Sequence, residues 1–257
     1  SRAMKLIARV STLMLMAYST LAISQSLNSL TYLTEEYPPY NFSEEGKVTG
    51  IAVDLLLSAS KEVGEEIFGN DIALQPWARA YRSTLIKPDT VLFSTTRTTL
   101  RENLFYWVGP IAETRIVILA KKSHEIKIES AMDLAQYRIG VIRDDVGEQL
   151  LLEAGVPRDS IQENSYAENI AQQIQKERID LWAYEENVAK WWIATAGYRA
   201  SDYEVVHVLQ EGELYFALNK STDIRLVKRL QKGVDLVRET KNEDGVNKFD
   251  AILNLYR

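Results

Sequence analysis

The chain has 257 residues, 46% hydrophobic and 26% charged, with a formal net charge of −6 and no cysteine. That is enough for one large or two small domains and a sizeable core. The missing cysteines exclude disulfides and thiolate metal sites, and the acidic balance argues against a nucleic-acid partner.

Ser1-Arg2-Ala3 ahead of Met4 reads as an expression scar. Met4 to Arg9 is basic, Val10 to Ile23 is apolar and uncharged, and Ala22-Ile23-Ser24 offers small residues for cleavage. This is the order of a secretory signal peptide, so residues 1–24 are expected to be lost on export, leaving Gln25 near the new terminus. The apolar run is shorter than the roughly 20 residues a membrane span needs. No Cys follows it, which argues against a lipoprotein anchor. Losing three basic groups takes the net charge from −6 to −9.

Leu30–Leu33 reads as a strand. The run Tyr37-Pro38-Pro39-Tyr40-Asn41-Phe42 follows, where two prolines are expected to hold a stiff, extended aromatic loop. Ala52, Leu55, Leu56, Ala59 and Val63 recur at helical spacing. Strand, rigid loop and helix in that order build a ligand crevice beyond the strand ends of an open α/β sheet.

A second strand is expected over Ile72–Leu74, with Pro76-Trp77 opening a helix. A third covers Thr90–Phe93. It leads into the hydroxyl-rich run Ser94-Thr95-Thr96-Arg97-Thr98-Thr99-Leu100-Arg101, whose donors suit an anion or carboxylate. Thr114–Lys121 is a strong strand, and Ser130 caps a helix start. Tyr137–Ile142 is a strand whose following loop enters a helix through Leu152. Ala167–Arg178 is an amphipathic helix, and a strand near Ile179–Glu186 follows. Val205–Leu209 and Tyr215–Leu218 are strands, and helices cover Thr222–Thr240 and Val246–Tyr256.

Four motifs in this order resemble the family 3 solute-binding proteins, the extracytoplasmic receptors of polar amino-acid ABC transporters. They are Tyr37-Pro38-Pro39-Tyr40 with Gly50-x-x-x-Asp54-Leu55, Trp77 at a strand-to-helix turn, Thr98-Thr99-Leu100-Arg101, and Ile179-Asp180 leading to Glu185. Pro76-Trp77-Ala78-Arg79 points to a Pro-Trp-x-Arg branch of that family. The resemblance implies an α/β fold of the type II periplasmic-binding class, two α/β lobes joined by a two-strand hinge. Residues 28–115 and 212–257 would form the first lobe and 116–211 the second.

It further implies that Tyr37 and Trp77 sandwich the ligand, with Tyr40 beside them. Arg101 would clamp a ligand carboxylate, since a guanidinium fork matches it bidentately. Ser94 and Thr96 would supply donors, the Asp145-Val146-Gly147 loop would approach from the second lobe, and Glu185 would pair with an ammonium. Arg79 and Arg97 are rivals for the carboxylate. Asp144-Asp145 stands where many members have Gly-Ser/Thr-Thr; acids there disfavour a simple carboxylate clamp and favour a cationic or sugar-like ligand group.

The function so implied is a periplasmic, monomeric receptor delivering a small polar solute, such as an amino acid, to an inner-membrane ABC permease. No cofactor, metal or catalytic residue is expected. Two other functions fit this fold: a cyclohexadienyl-dehydratase-like enzyme using Glu185, and a ligand-sensing module for a signalling partner. His124 and His207, the two histidines, sit in no catalytic motif.

Overall fold

A computed structural model describes residues 25–257; the leader expected over 1–24 lies outside that range. β1 (Thr31–Thr34) is followed by a hairpin of β2 (Phe42–Glu44) and β3 (Lys47–Thr49). Then come α1 (Ile51–Glu62), β4 (Ile72–Leu74), α2 (Trp77–Ile86), β5 (Thr90–Thr96) and β6 (Phe105–Lys121). β7 (Ile139–Ile142), α3 (Val146–Glu153), β8 (Ile161–Asn164), α4 (Ala167–Gln175), β9 (Leu181–Glu185) and α5 (Glu186–Thr195) follow. β10 (Tyr203–Asn219), α6 (Ile224–Glu239) and α7 (Lys248–Asn254) end the chain.

Eight strands form one sheet in the order β4-β1-β5-β10-β6-β9-β7-β8. β4, β1 and β5 are parallel, β10 is antiparallel to β5 and to β6, and β9 is antiparallel to β6 but parallel to β7. Helices on the sheet faces explain the apolar strands: every residue of β5, β7 and β9 is buried. α1 buries Ala52, Leu55, Leu56 and Ala59, and α6 buries Leu226, Leu230, Val234 and Val237, in one shared cluster.

β6 and β10 are each 17 residues long. At roughly 3.3 Å per residue, each reaches about 55 Å. They pair from Phe105 with Asn219 to Lys121 with Tyr203, with Thr114 opposite Gly212 near the middle. Around one half of this ribbon lie β4, β1 and β5 with α1, α2, α6 and α7; around the other lie β9, β7 and β8 with α3, α4 and α5. The molecule is therefore two α/β lobes joined by two strands.

Several elements differ from their sequence signals. The strands expected over Val205–Leu209 and Tyr215–Leu218 are one continuous β10, because the ladder of backbone bonds carries on through the polar stretch Gln210–Glu213. β6 likewise begins at Phe105, ahead of Gly109-Pro110. Ser94, Thr95 and Thr96 belong to β5 rather than to a loop. Helix α5 gives no sequence signal of its own; only its first residue, Glu186, falls in the strand expected near Ile179–Glu186.

The aromatic loop is a closed turn rather than an extended one. Pro38 and Pro39 have no N–H to offer, so the neighbouring amides bond back: Tyr37 N–H to Asn41 O at 2.6 Å and Tyr40 N–H to Tyr37 O at 2.9 Å. Gly50, at φ 125°, then starts α1 against this turn; a Cβ there would overlap the Tyr40 carbonyl.

Candidate functional site

The site is built where strand ends of the first lobe meet the loops after β7 and β9. Asn41, buried under the turn, ties it to β1 and β5: its Nδ2 donates to the Glu35 carbonyl at 2.8 Å, and Ser94 Oγ donates to its Oδ1 at 2.5 Å. The turn is thereby fixed, and its tyrosines reach the other lobe. Tyr37 meets Tyr184 edge-on at 5.6 Å between ring centroids and tilts against Tyr40 at 5.8 Å. The Tyr40 hydroxyl accepts from Asn187 Nδ2 at 3.2 Å and lies 3.5 Å from Glu185 Oε2.

Trp77 opens α2 after Pro76. Its ring stacks on Tyr81 at 5.6 Å, and its indole N–H donates across the junction to the Asp144 carbonyl at 3.0 Å. Tyr37 and Trp77 find separate ring partners, Tyr184 and Tyr81. Asp144 provides the acceptor that a buried indole N–H takes.

Arg101 follows β5 and is fully buried. Its guanidinium lies over Tyr81 at 5.1 Å and Trp77 at 5.6 Å. Nε donates to Gln149 Oε1 at 2.9 Å across the junction, and Nη1 donates to the Thr96 carbonyl at 3.2 Å. Nη2 has no partner. Burial lowers the Arg101 pKa, while the nearby Tyr81 and Asp145 charges oppose that fall. The rival Arg97 is bound instead to Glu102, with Nε to Oε2 at 2.7 Å. Arg79 is exposed in the first turn of α2, and its side chain enters no hydrogen bond or ion pair among the described residues.

From the second lobe, the Asp144-Asp145 turn brings α3 to the junction. Asp144 stands at φ 62° and its carboxylate pairs with Arg82 at 2.7 Å. Asp145 is buried, and its Oδ2 has no partner. Burial pushes its carboxyl up to about 6, against the opposing pull of Arg101 and of the Val146 and Gly147 amides. Gly147 lets α3 press against β9; a Cβ there would come within 2.6 Å of the Ala183 carbonyl.

Glu185 ends β9 and is fully buried. Both its oxygens are already engaged. Oε1 accepts from the Asn187 and Val188 amides at 2.7 and 3.1 Å, capping α5, and Oε2 accepts from Thr114 Oγ1 at 2.7 Å. An N-cap uses these lone pairs because the first amides of a helix have no other acceptor. Burial still raises the Glu185 pKa.

One acid gave no sequence signal. Glu35, within Thr34-Glu35-Glu36, is nearly fully buried, and its pKa stands well above the usual carboxylate range. Burial is the main cause and the Asp145 charge adds to it, while Arg101 opposes both. A Glu-Glu pair beside a turn has no periodicity to mark it as internal. Tyr184, Asn187, Gln149 and Thr114 were missed for the same reason. Among the described residues, no cluster of three or more His, Asp or Glu is placed to hold a metal, and no helix is long and apolar enough to cross a membrane.

Residues 30–253 match the family model for bacterial extracellular solute-binding proteins, family 3. The chain belongs to that family. As a family 3 solute-binding protein it is 24% identical over 224 residues to a probable histidine-binding protein of Campylobacter jejuni, covering 86% of this chain and 81% of that one. Its fold matches a histidine kinase sensor domain similar to periplasmic binding proteins, with TM-score 0.75, 16% identity, and 89% and 96% of the two chains covered. It also matches ArtJ, an arginine-, lysine-, histidine-binding protein from Geobacillus stearothermophilus, with TM-score 0.70, 17% identity, and 89% and 95% covered. An ancestral arginine-binding protein bound to arginine matches with TM-score 0.70, 20% identity, and 88% and 97% covered.

Proposed function

We propose that this solute-binding protein is a periplasmic receptor for an amino acid or a close relative of one, which it holds between its lobes and hands to an ABC permease without chemical turnover. Cleavage near Gln25 releases it, and it acts as a monomer. Residues 28–115 with 212–257 move as one lobe and 116–211 as the other, with β6 and β10 as the hinge. Ligand contacts made from both lobes favour the closed state, so binding shifts the population towards it.

One observation carries this reading. Arg101 Nη2 and Asp145 Oδ2 are buried at the junction, each without a partner. A free donor of positive charge and a free acceptor of negative charge complement a zwitterion. The ligand's α-carboxylate goes to Arg101, with Thr96 and Ser94 holding that arginine and its neighbours in place. The α-ammonium goes to Asp145, in place of Glu185, whose oxygens cap α5. Tyr37, Tyr40, Trp77 and the Val146-Gly147 turn enclose it.

Thermal denaturation with each common amino acid, several polyamines and small carboxylates tests this. A ligand at 100 times its Kd adds about 2.7 kcal/mol of stability. At least one amino acid is expected to raise the melting temperature, and Arg101→Lys to diminish the rise. No rise with any amino acid contradicts the proposal.

A further inference from the structure

Helix α5 buries Val188, Ala189 and Ile193 in its own lobe. Asn187 and Trp191 stand off that face, at the i, i+4 spacing that puts two side chains on one stripe. Trp191 is 41% exposed, so the core of its own lobe does not account for it. What the stripe meets is the other lobe. Asn187 Nδ2 donates to the Tyr40 hydroxyl at 3.2 Å, and the Trp191 ring lies against Phe42 at 5.3 Å between centroids, tilted by 53°.

Phe42 is the complement. It is only 7% exposed, yet it belongs to neither of the two core clusters. Its ring neighbours are Trp191 and, edge-on at 6.4 Å, Tyr256 from the end of the chain. The hairpin that carries Phe42 is anchored in the first lobe. The Tyr256 hydroxyl donates to Asp54 Oδ2 at 2.5 Å and accepts from the Gly50 N–H at 2.9 Å, and Glu36 accepts from the Ser43 N–H at 3.0 Å. On the other side, the Glu185 cap fixes the start of α5. Two rigid platforms that touch through one ring pair and one hydrogen bond are either joined or apart. Neither Phe42 nor Trp191 borders the cavity of about 290 Å³ between the lobes, to which α5 contributes Trp192 instead.

We infer that the Asn187–Trp191 stripe of α5 and the Tyr40–Phe42 segment form a clasp outside the ligand cavity, which holds the lobes together before any ligand arrives. Trp191 is then a positioning residue: it touches no ligand and sets how often the empty cleft opens. A solute enters and leaves through the open state, so the clasp slows both steps. The inference deepens the receptor reading above and rests on it for the clasp's purpose.

Small-angle scattering and urea denaturation of the whole ligand-free chain test it. The wild type is expected to scatter as the closed form. Trp191→Ala should raise the open fraction about two- to tenfold, the size of one aromatic pair, and so enlarge the radius of gyration. Its urea midpoint should stay close to the parental value, because the ring lies off the core. Trp191→Phe, which keeps a ring, should restore most of the compactness. Trp191→Ala combined with Phe42→Leu should open no further than the single variants, since all remove the same contact. A Trp191→Ala protein as compact as the wild type overturns the clasp, as does a wild type that is already as open as the variant. If Trp191→Ala fails to fold, Trp191→Leu decides in the same way: expansion supports the clasp and parental scattering overturns it. No ligand is needed, so a failed amino-acid screen counts against the receptor reading alone.

Discussion

The indole N–H of Trp77 donates to the backbone carbonyl of Asp144 at 3.0 Å, tying the start of α2 in one lobe to the turn before α3 in the other. The Arg82–Asp144 ion pair and the Arg101–Gln149 bond cross the same junction. These contacts exist only when the lobes meet, so they contribute to closure whatever lies between. Trp77→Phe keeps a ring on Tyr81 and Arg101 but removes the donor. Losing one such bond costs about 1 kcal/mol. Ligand affinity should fall roughly five- to tenfold, and small-angle scattering of the ligand-free variant should show a larger radius of gyration. Unchanged affinity and unchanged scattering would contradict this.

Arg101→Lys should reduce affinity at least about tenfold, because an ammonium cannot reproduce the planar fork. Were Arg101 pointing into an open cleft, its replacement would leave the melting temperature almost unmoved. Its complete burial and its bonds to Thr96 and Gln149 change that expectation. The ligand-free variant should also melt several degrees lower by calorimetry. Arg97→Lys, at a residue already paired with Glu102, should bind as the parent does. An Arg101→Lys protein with parental affinity would remove Arg101 from the site.

Asp145 makes the ligand-free protein sensitive to pH. Its carboxyl is pushed up to about 6 in the folded chain, above the roughly 3.9 of an unfolded aspartate. An acid raised on folding stabilises the protein fully below its unfolded pKa and loses that contribution as pH rises through its folded pKa. Between about pH 4 and pH 7 the wild type should therefore lose on the order of 1–3 kcal/mol that Asp145→Asn does not lose. Urea denaturation of both proteins across that range measures the difference. Parallel pH profiles would be inconsistent with a buried, titrating Asp145.

Glu185 caps α5 and holds Thr114 of β6. Glu185→Ala removes the cap and leaves buried donors without an acceptor, which should cost about 1–3 kcal/mol in urea denaturation. Loss of ligand binding without any loss of stability would instead return Glu185 to the role of ammonium partner that the motif implied.

Much of the architecture was written in local signals. The helical spacing of Ala52, Leu55, Leu56 and Ala59 marked α1, Pro76 marked the start of α2, and the apolar runs marked β1, β4, β5 and β7. Their alternation gave an α/β chain, and the motifs around Tyr37, Trp77, Arg101 and Glu185 gave the family. Periodicity succeeds there because each residue's burial follows from its own helix or strand.

Tertiary structure decided the rest. Whether Glu35 is solvated or buried depends on Tyr184, which lies far along the chain on another lobe. Whether Glu185 is free or capping depends on Thr114 and on the amides of a helix that the sequence did not announce. Whether Arg101 faces solvent or lies between Trp77, Tyr81 and Gln149 depends on how closely the lobes meet. Each of these is a question of charge and hydrogen-bond partners brought together from distant positions. A carboxylate's neighbours, unlike its helix, are not encoded by its spacing in the chain.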